Sequence, residues 1–151
     1  MTERKEITKM LSLSLEKHIN PYNDPRVYMA REVTFDYATS HAIRVDYMQF
    51  KPLNNTVSGI EKGDFFCFDS KNGHNFLGDY NYYVMPEEVY EQIKAEIPYG
   101  VGVYVPGRLH HGKDWYDLKS VRKAKRKDRE KSLTEMLFMM FRSAARDRKE
   151  S

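Results

Sequence analysis

At 151 residues, 40% of them hydrophobic and 31% charged, the chain has the length of a single domain, 1–151, with enough apolar surface for a real core. Its one cysteine, Cys67, excludes a disulfide framework and points to a reducing compartment. The opening MTERKEITKM is charged, and no apolar run reaches the length that spans a bilayer, so a soluble, cytoplasmic protein with no membrane partner is expected. The net charge is +3, but it is unevenly spread, with eight basic residues from Lys119 to Lys131 against only Asp128 and Glu130.

In chain order, Ile7, Met10, Leu11, Leu15 and Ile19 recur at helical spacing and predict an amphipathic helix from about Glu3 to His18, with Thr2 as its N-cap. Pro21 and Pro25 bound a loop that ends it. VYMAREVTF, His41 to Phe50 and Asp64 to Asp69 are β-rich segments, expected as an antiparallel meander, and Lys51 to Gly63 reads as a long hairpin loop. A polar stretch to Asp79 leads into a strand from Tyr80 to Met85. Pro86-Glu87-Glu88 then opens a helix to about Glu96, stopped by Pro98.

Tyr99 to Val105 alternates glycine with valine and tyrosine, the pattern of a buried strand approached closely by another backbone. Pro106 to Lys113 is expected as a loop carrying His110 and His111 on the surface, followed by a strand within Trp115 to Lys125. Ser132-Leu133-Thr134-Glu135 is a capping-box pattern. The helix it starts has Leu133, Met136, Leu137, Met140, Phe141 and Ala144 as its apolar face, and a charged tail from Arg146 is expected to fray. The layout is α+β, a mixed central sheet flanked by helices.

Two features carry chemistry. Asp46 lies inside one strand and Asp69-Ser70-Lys71 closes the next. Two carboxylates suit a hard cation such as Mg²⁺, and a nearby lysine can orient or deprotonate an attacking water. The plainer alternative is a solvated strand end with an exposed ion pair. The second feature is the basic stretch of Lys119, Arg122, Lys123, Lys125, Arg126 and Lys127, suited to a phosphate backbone or to a merely solvated surface. Cys67, inside an apolar run, reads as a buried structural thiol.

The segments REVTF, RVDYMQF, GIEKGDFFCF, NGHNFLGDYNYYVMPEEVY, IPYGVGVYVP and SLTEMLFMMFRSA, which together span most of the chain, resemble the PD-(D/E)XK, restriction-endonuclease-like superfamily. Within it, the resemblance is to small MmcB-type proteins and relatives from phages and prophages of Gram-positive bacteria. It implies a restriction-endonuclease-like fold and hydrolysis of DNA phosphodiesters in replication, repair or recombination, with Mg²⁺ or Mn²⁺ as cofactor. Glu32 would match the first acid, Asp46 the motif aspartate, and Asp69 with Lys71 the Glu-x-Lys pair, one methylene shorter.

Two registers stay open: either Asp69-Ser70-Lys71 is a variant of the catalytic pair, or that pair is missing and Ser70-Lys71 belongs to the following loop. Three functions follow: a metal-dependent DNA nuclease, a silent nuclease fold that binds nucleic acid, and a protein-binding scaffold such as an inhibitor of a host defence complex.

Overall fold

The structure, a computed structural model, describes residues 2–36, 39, 40, 42–69, 76–110, 112 and 115–150. Its elements run α1 (Thr2–Ile19), β1 (Tyr28–Phe35), β2 (Ile43–Lys51), α2 (Val57–Glu61), β3 (Asp64–Asp69), β4 (Tyr80–Val84), α3 (Glu87–Ile93) with a 3-10 turn at Lys94–Glu96, β5 (Gly102–Leu109), β6 (Tyr116–Arg122) and α4 (Leu133–Glu150). The strands form one six-stranded sheet in chain order. β1, β2 and β3 are antiparallel, as the meander predicts; β3, β4 and β5 are parallel, and β6 returns antiparallel. The fold is therefore α+β, with a mixed sheet flanked by helices.

Alternation along the strands divides the core into two sides. Phe68 of β3 joins Tyr47 and Val84 under Leu11, Leu15 and Ile19 of α1. Phe65 and Cys67 face the other way, with Met48, Phe50 and the Met136 and Met140 side chains of α4. Beside that layer, α3 and the turn after it pack Tyr90, Ile93 and Ile97 on Tyr83, Val103 and Val105. Gly102 lies where Tyr82 and the chain at Ala124 converge: a Cβ there would stand 2.7 Å from the Ala124 nitrogen, the close backbone approach its glycine pattern predicts.

Several local expectations are revised. Residues 51–63 do not form a plain loop but hold α2, capped by the Thr56 side chain, which accepts from the Gly59 N–H at 3.0 Å. A helix of five residues is too short to show a period in the sequence. β5 continues through Pro106 to Leu109, and its pairing with β6 is irregular between those two residues. A proline is tolerated in a sheet at such an irregularity.

Beyond β6, residues 123–131 form no strand but a strap along the sheet: Lys125 N–H donates to Gly100 O at 2.8 Å and Lys127 N–H to Asp79 O at 2.9 Å. On α4, Ser132 Oγ accepts from the Glu135 N–H at 3.1 Å, the capping half of the predicted box. The expected apolar face is only partly covered, because α4 packs on the edge strand β1 and overhangs it; Phe141 is 69% exposed. The end of α4 does not fray at Arg146, since that guanidinium is tied to β1.

Candidate active site

The β2–β3 ladder runs from Lys51 opposite Asp64 to Tyr47 opposite Phe68. One step further the facing residues are Asp46 and Asp69, and here the Asp46 N–H donates to Asp69 Oδ1 at 3.0 Å. On the other side of β2, Arg31 pairs with Tyr47 and Val33 with Val45, which leaves Glu32 and Asp46 opposite each other with no ladder pairing between them. Glu32, Asp46 and Asp69 thus occupy one row across three adjacent strands.

The row falls where β1 and β2 exchange faces. Ala30 and Val33 are three residues apart yet both enter the core under α4, and so do Met48 and Val45. Strict alternation would send the members of each pair to opposite sides. On β1 the switch is made by Glu32, whose φ of +49° lies in the left-handed region that strains any residue with a Cβ. The displaced carbonyls are captured by α4: Arg31 O accepts from Ser143 Oγ and, at 3.0 Å, from Arg146 Nη2, while Glu32 O accepts from Arg146 Nη1 at 3.3 Å.

Burial raises the Asp69 carboxyl to about 7, and the neighbouring Asp46 charge pushes in the same direction, against the Asp46 N–H bond and Arg44. Asp46 itself stands 3.7 Å from an Arg44 guanidinium that is 55% exposed. Asp46 and Glu32 also line a polar cavity of about 600 Å³ under α1, together with Lys9, Glu16, Arg31 and Arg44. Within it Glu16 accepts from Tyr47 Oη at 3.0 Å and from Arg31 at 3.2 Å, and Arg31 reaches Asp147 of α4 at 3.5 Å. Burial first, and then the Glu16 charge and hydrogen bond, hold the Tyr47 hydroxyl protonated well above the ordinary phenol range.

The structure joins Asp46 to Asp69 through the Asp46 backbone N–H and puts Glu32 on the next strand. Lys71, with Ser70, lies outside the described residues. Among the described residues, no three or more His, Cys, Asp or Glu side chains form a group that could hold a metal ion.

Of the basic stretch, four members are engaged within the chain. Arg122 donates to Pro98 O at 3.1 Å, Lys125 to Tyr99 Oη at 2.7 Å, and Lys127 to Phe76 O at 2.6 Å, while Arg126 pairs with Asp64 at 2.8 Å. Lys119 and Lys123 are exposed. His110 stacks on Trp115 with ring centroids 4.2 Å apart, and His111 is outside the described residues. Cys67 is buried, and burial pushes its thiol far up.

Three contributors escaped the sequence reading. Ser143 and Arg146 sit one turn apart on α4, and nothing in that spacing signals that they clamp a strand. Asp79 is 3% exposed, accepts from the Phe65 N–H at 2.8 Å and pairs with Arg129 at 2.8 Å. It stood in a stretch rich in glycine and asparagine that read as loop.

Neither a family model, nor a curated protein, nor a solved structure matches this chain.

Proposed function

We propose that the chain is a metal-dependent phosphodiesterase acting on DNA, of the phage or prophage type that its motifs resemble, with a restriction-endonuclease-like fold. Asp46 and Asp69 are the ligands of a Mg²⁺ or Mn²⁺ ion, Glu32 is a base on the next strand, and Lys71 assists the attacking water. The observation that carries this reading is the Asp69 carboxylate, buried at the end of β3, raised to about 7 and set against Asp46 on the adjacent strand. Burial, with the Asp46 charge adding to it, disfavours the Asp69 anion, a setting that favours a proton or a cation there. Mg²⁺ accommodates a site with only two carboxylates because it keeps several waters. When bound, the ion would supply charge for a developing phosphoryl transition state. The α+β sheet, with helices on both faces and the acids on neighbouring strands, supports the fold assignment.

The deciding experiment measures Mg²⁺ and Mn²⁺ binding by calorimetry, and cleavage of single- and double-stranded DNA, for the wild type, Asp69→Asn and Lys71→Ala. The reading requires binding that Asp69→Asn abolishes and metal-dependent cleavage that both variants abolish. Wild-type protein that neither binds the ions nor cuts DNA refutes it.

A second reading, a silent fold that binds nucleic acid or a host protein, is favoured by Arg44, which already supplies a positive charge 3.7 Å from Asp46. It expects DNA or protein binding indifferent to divalent ions.

A further inference from the structure

α1 covers only part of its face of the sheet. It buries Phe68 and Val84, towards the ends of β3 and β4, and stops at Ile19, which leaves Phe66 and Tyr80, nearer the starts of those strands, half-buried. Phe66 and Tyr80 are partners in the β3–β4 register and stack with ring centroids 4.9 Å apart and planes 10° from parallel. The Lys51 ammonium, from β2, rests over the Phe66 ring at 4.6 Å. The same couple recurs on the other side of β4. Tyr99, which precedes β5 and is 82% exposed, carries the Lys125 ammonium 4.8 Å from its ring centroid and 2.7 Å from its Oη.

These two couples belong to one row. Tyr82 pairs with Gly102, so two residues back along the parallel strands Tyr80 stands level with Gly100, and Gly100 O accepts from the Lys125 N–H at 2.8 Å. That main-chain bond fixes Tyr99 and Lys125 side by side. Arg126, next on the strap, pairs with Asp64 at 2.8 Å and lies within electrostatic reach of Tyr80. Asp64 and Asp79, the acids beside the row, are each held by an arginine. We infer that this row binds single-stranded DNA, with bases stacked on Tyr99 and Phe66 and phosphates drawn to Lys51 and Lys125.

The pairing of each ring with a cation selects the occupant. An acidic peptide or an anionic lipid would use the charges and leave the rings in water. A duplex offers phosphates but keeps its base faces inside the stack. A single strand presents both, flat unpaired bases and a phosphate at every nucleotide. An ammonium over an exposed ring is weakly held, so a phosphate can draw Lys51 or Lys125 aside and free the ring face for a base. Every base has such a face, so the row should be indifferent to sequence. The choice of DNA rests on the function proposed above; the row itself lies towards the starts of β3 and β4, away from Asp69 at the end of β3.

Fluorescence anisotropy of a labelled oligothymidylate tests the inference, with the full chain in a chelating buffer so that no metal-dependent cutting intervenes. The wild type should bind the single strand about tenfold or more tightly than a duplex of equal length, or than the same strand with abasic sites. Tyr99→Ala should weaken binding by about fivefold or more, and Tyr99→Trp should keep it. Lys51→Ala should weaken binding and flatten its salt dependence. Tyr99 and Lys51 are both exposed, so circular dichroism and the thermal midpoint of these variants should match the wild type. A wild type that binds no single strand, a duplex or an abasic strand bound as tightly, or Tyr99→Ala and Lys51→Ala without effect would overturn it. These readouts use neither metal nor cleavage, so they fail or hold separately from the calorimetry and cleavage that test the Asp46–Asp69 site.

Discussion

The backbone N–H of Asp46 donates to the Asp69 carboxylate at 3.0 Å, at the point where the ladder between their strands stops. A side chain has taken over the role of a strand carbonyl. One consequence is a carboxyl group that is buried, close to a second acid and still hydrogen-bonded.

This arrangement makes stability fall as pH rises. Asp69 has a folded value of about 7 against an ordinary 3.8, so between those limits the unfolded chain releases a proton that the folded chain keeps. The associated stability is fully present below about pH 4, is lost progressively up to about pH 7, and is on the order of 4 kcal/mol. Asp69→Asn retains an oxygen for the Asp46 N–H and has no charge to bury. Its urea midpoint should exceed that of the wild type at pH 8, and the difference should shrink at pH 5.

Asp46→Asn separates chemistry from scaffold. It removes a charge that raises Asp69, and it leaves behind Arg44, which at 55% exposure is solvated. Losing such an exposed pair costs under about 1 kcal/mol. We expect the thermal midpoint at pH 8 to be unchanged or higher, with Mg²⁺ binding and cleavage lost. A marked fall in stability would instead make Asp46 a structural partner.

Glu32 offers a test of backbone strain. Its φ of +49° suits glycine, so Glu32→Gly should be neutral or stabilising by up to about 1 kcal/mol, whereas Thr34→Gly in the same strand should destabilise. Arg146→Ala should cost about 1–2 kcal/mol by withdrawing donors from the Arg31 and Glu32 carbonyls. Denaturant titrations of the three variants would read both effects.

For nucleic acid, the members of the basic stretch should not behave alike. Lys119→Glu and Lys123→Glu should weaken DNA binding while leaving the thermal midpoint unchanged, because both side chains are exposed. Arg126→Glu should lower the midpoint, because it sets an acid against Asp64 and Asp79. If Lys119 and Lys123 supply the phosphate contacts, the logarithm of the affinity should fall with that of salt at a slope of about 2 or less. Titrations at several salt concentrations measure it.

The parts of the fold legible in the sequence were those with a period to read. Leu11 and Leu15, Phe65 and Cys67, and Met136 and Met140 show their spacing and are buried where it implies. The adjacency of Asp46 and Asp69 followed from two strands joined as a meander. What stayed hidden has no period. α2 is a single turn held by Thr56, and the face switch at Glu32 depends on a backbone angle that a glutamate does not advertise. The roles of Lys125, Arg126 and Lys127 depend on partners at Tyr99, Asp64 and Phe76, far away in the chain, so composition showed a basic run where the fold has a strap.

The strap also ties the packing of β4 to a residue far along the chain. Asp79 is enclosed near the start of β4 with Arg129, made 50 residues later, as its close counter-charge. Without Arg129, closing the sheet around Asp79 would bury an anion short of its close counter-charge, which is strongly unfavourable. Arg129→Ala should therefore loosen the packing of β3 on β4, because it leaves the buried Asp79 carboxylate with Arg126, 3.8 Å away, as its guanidinium partner.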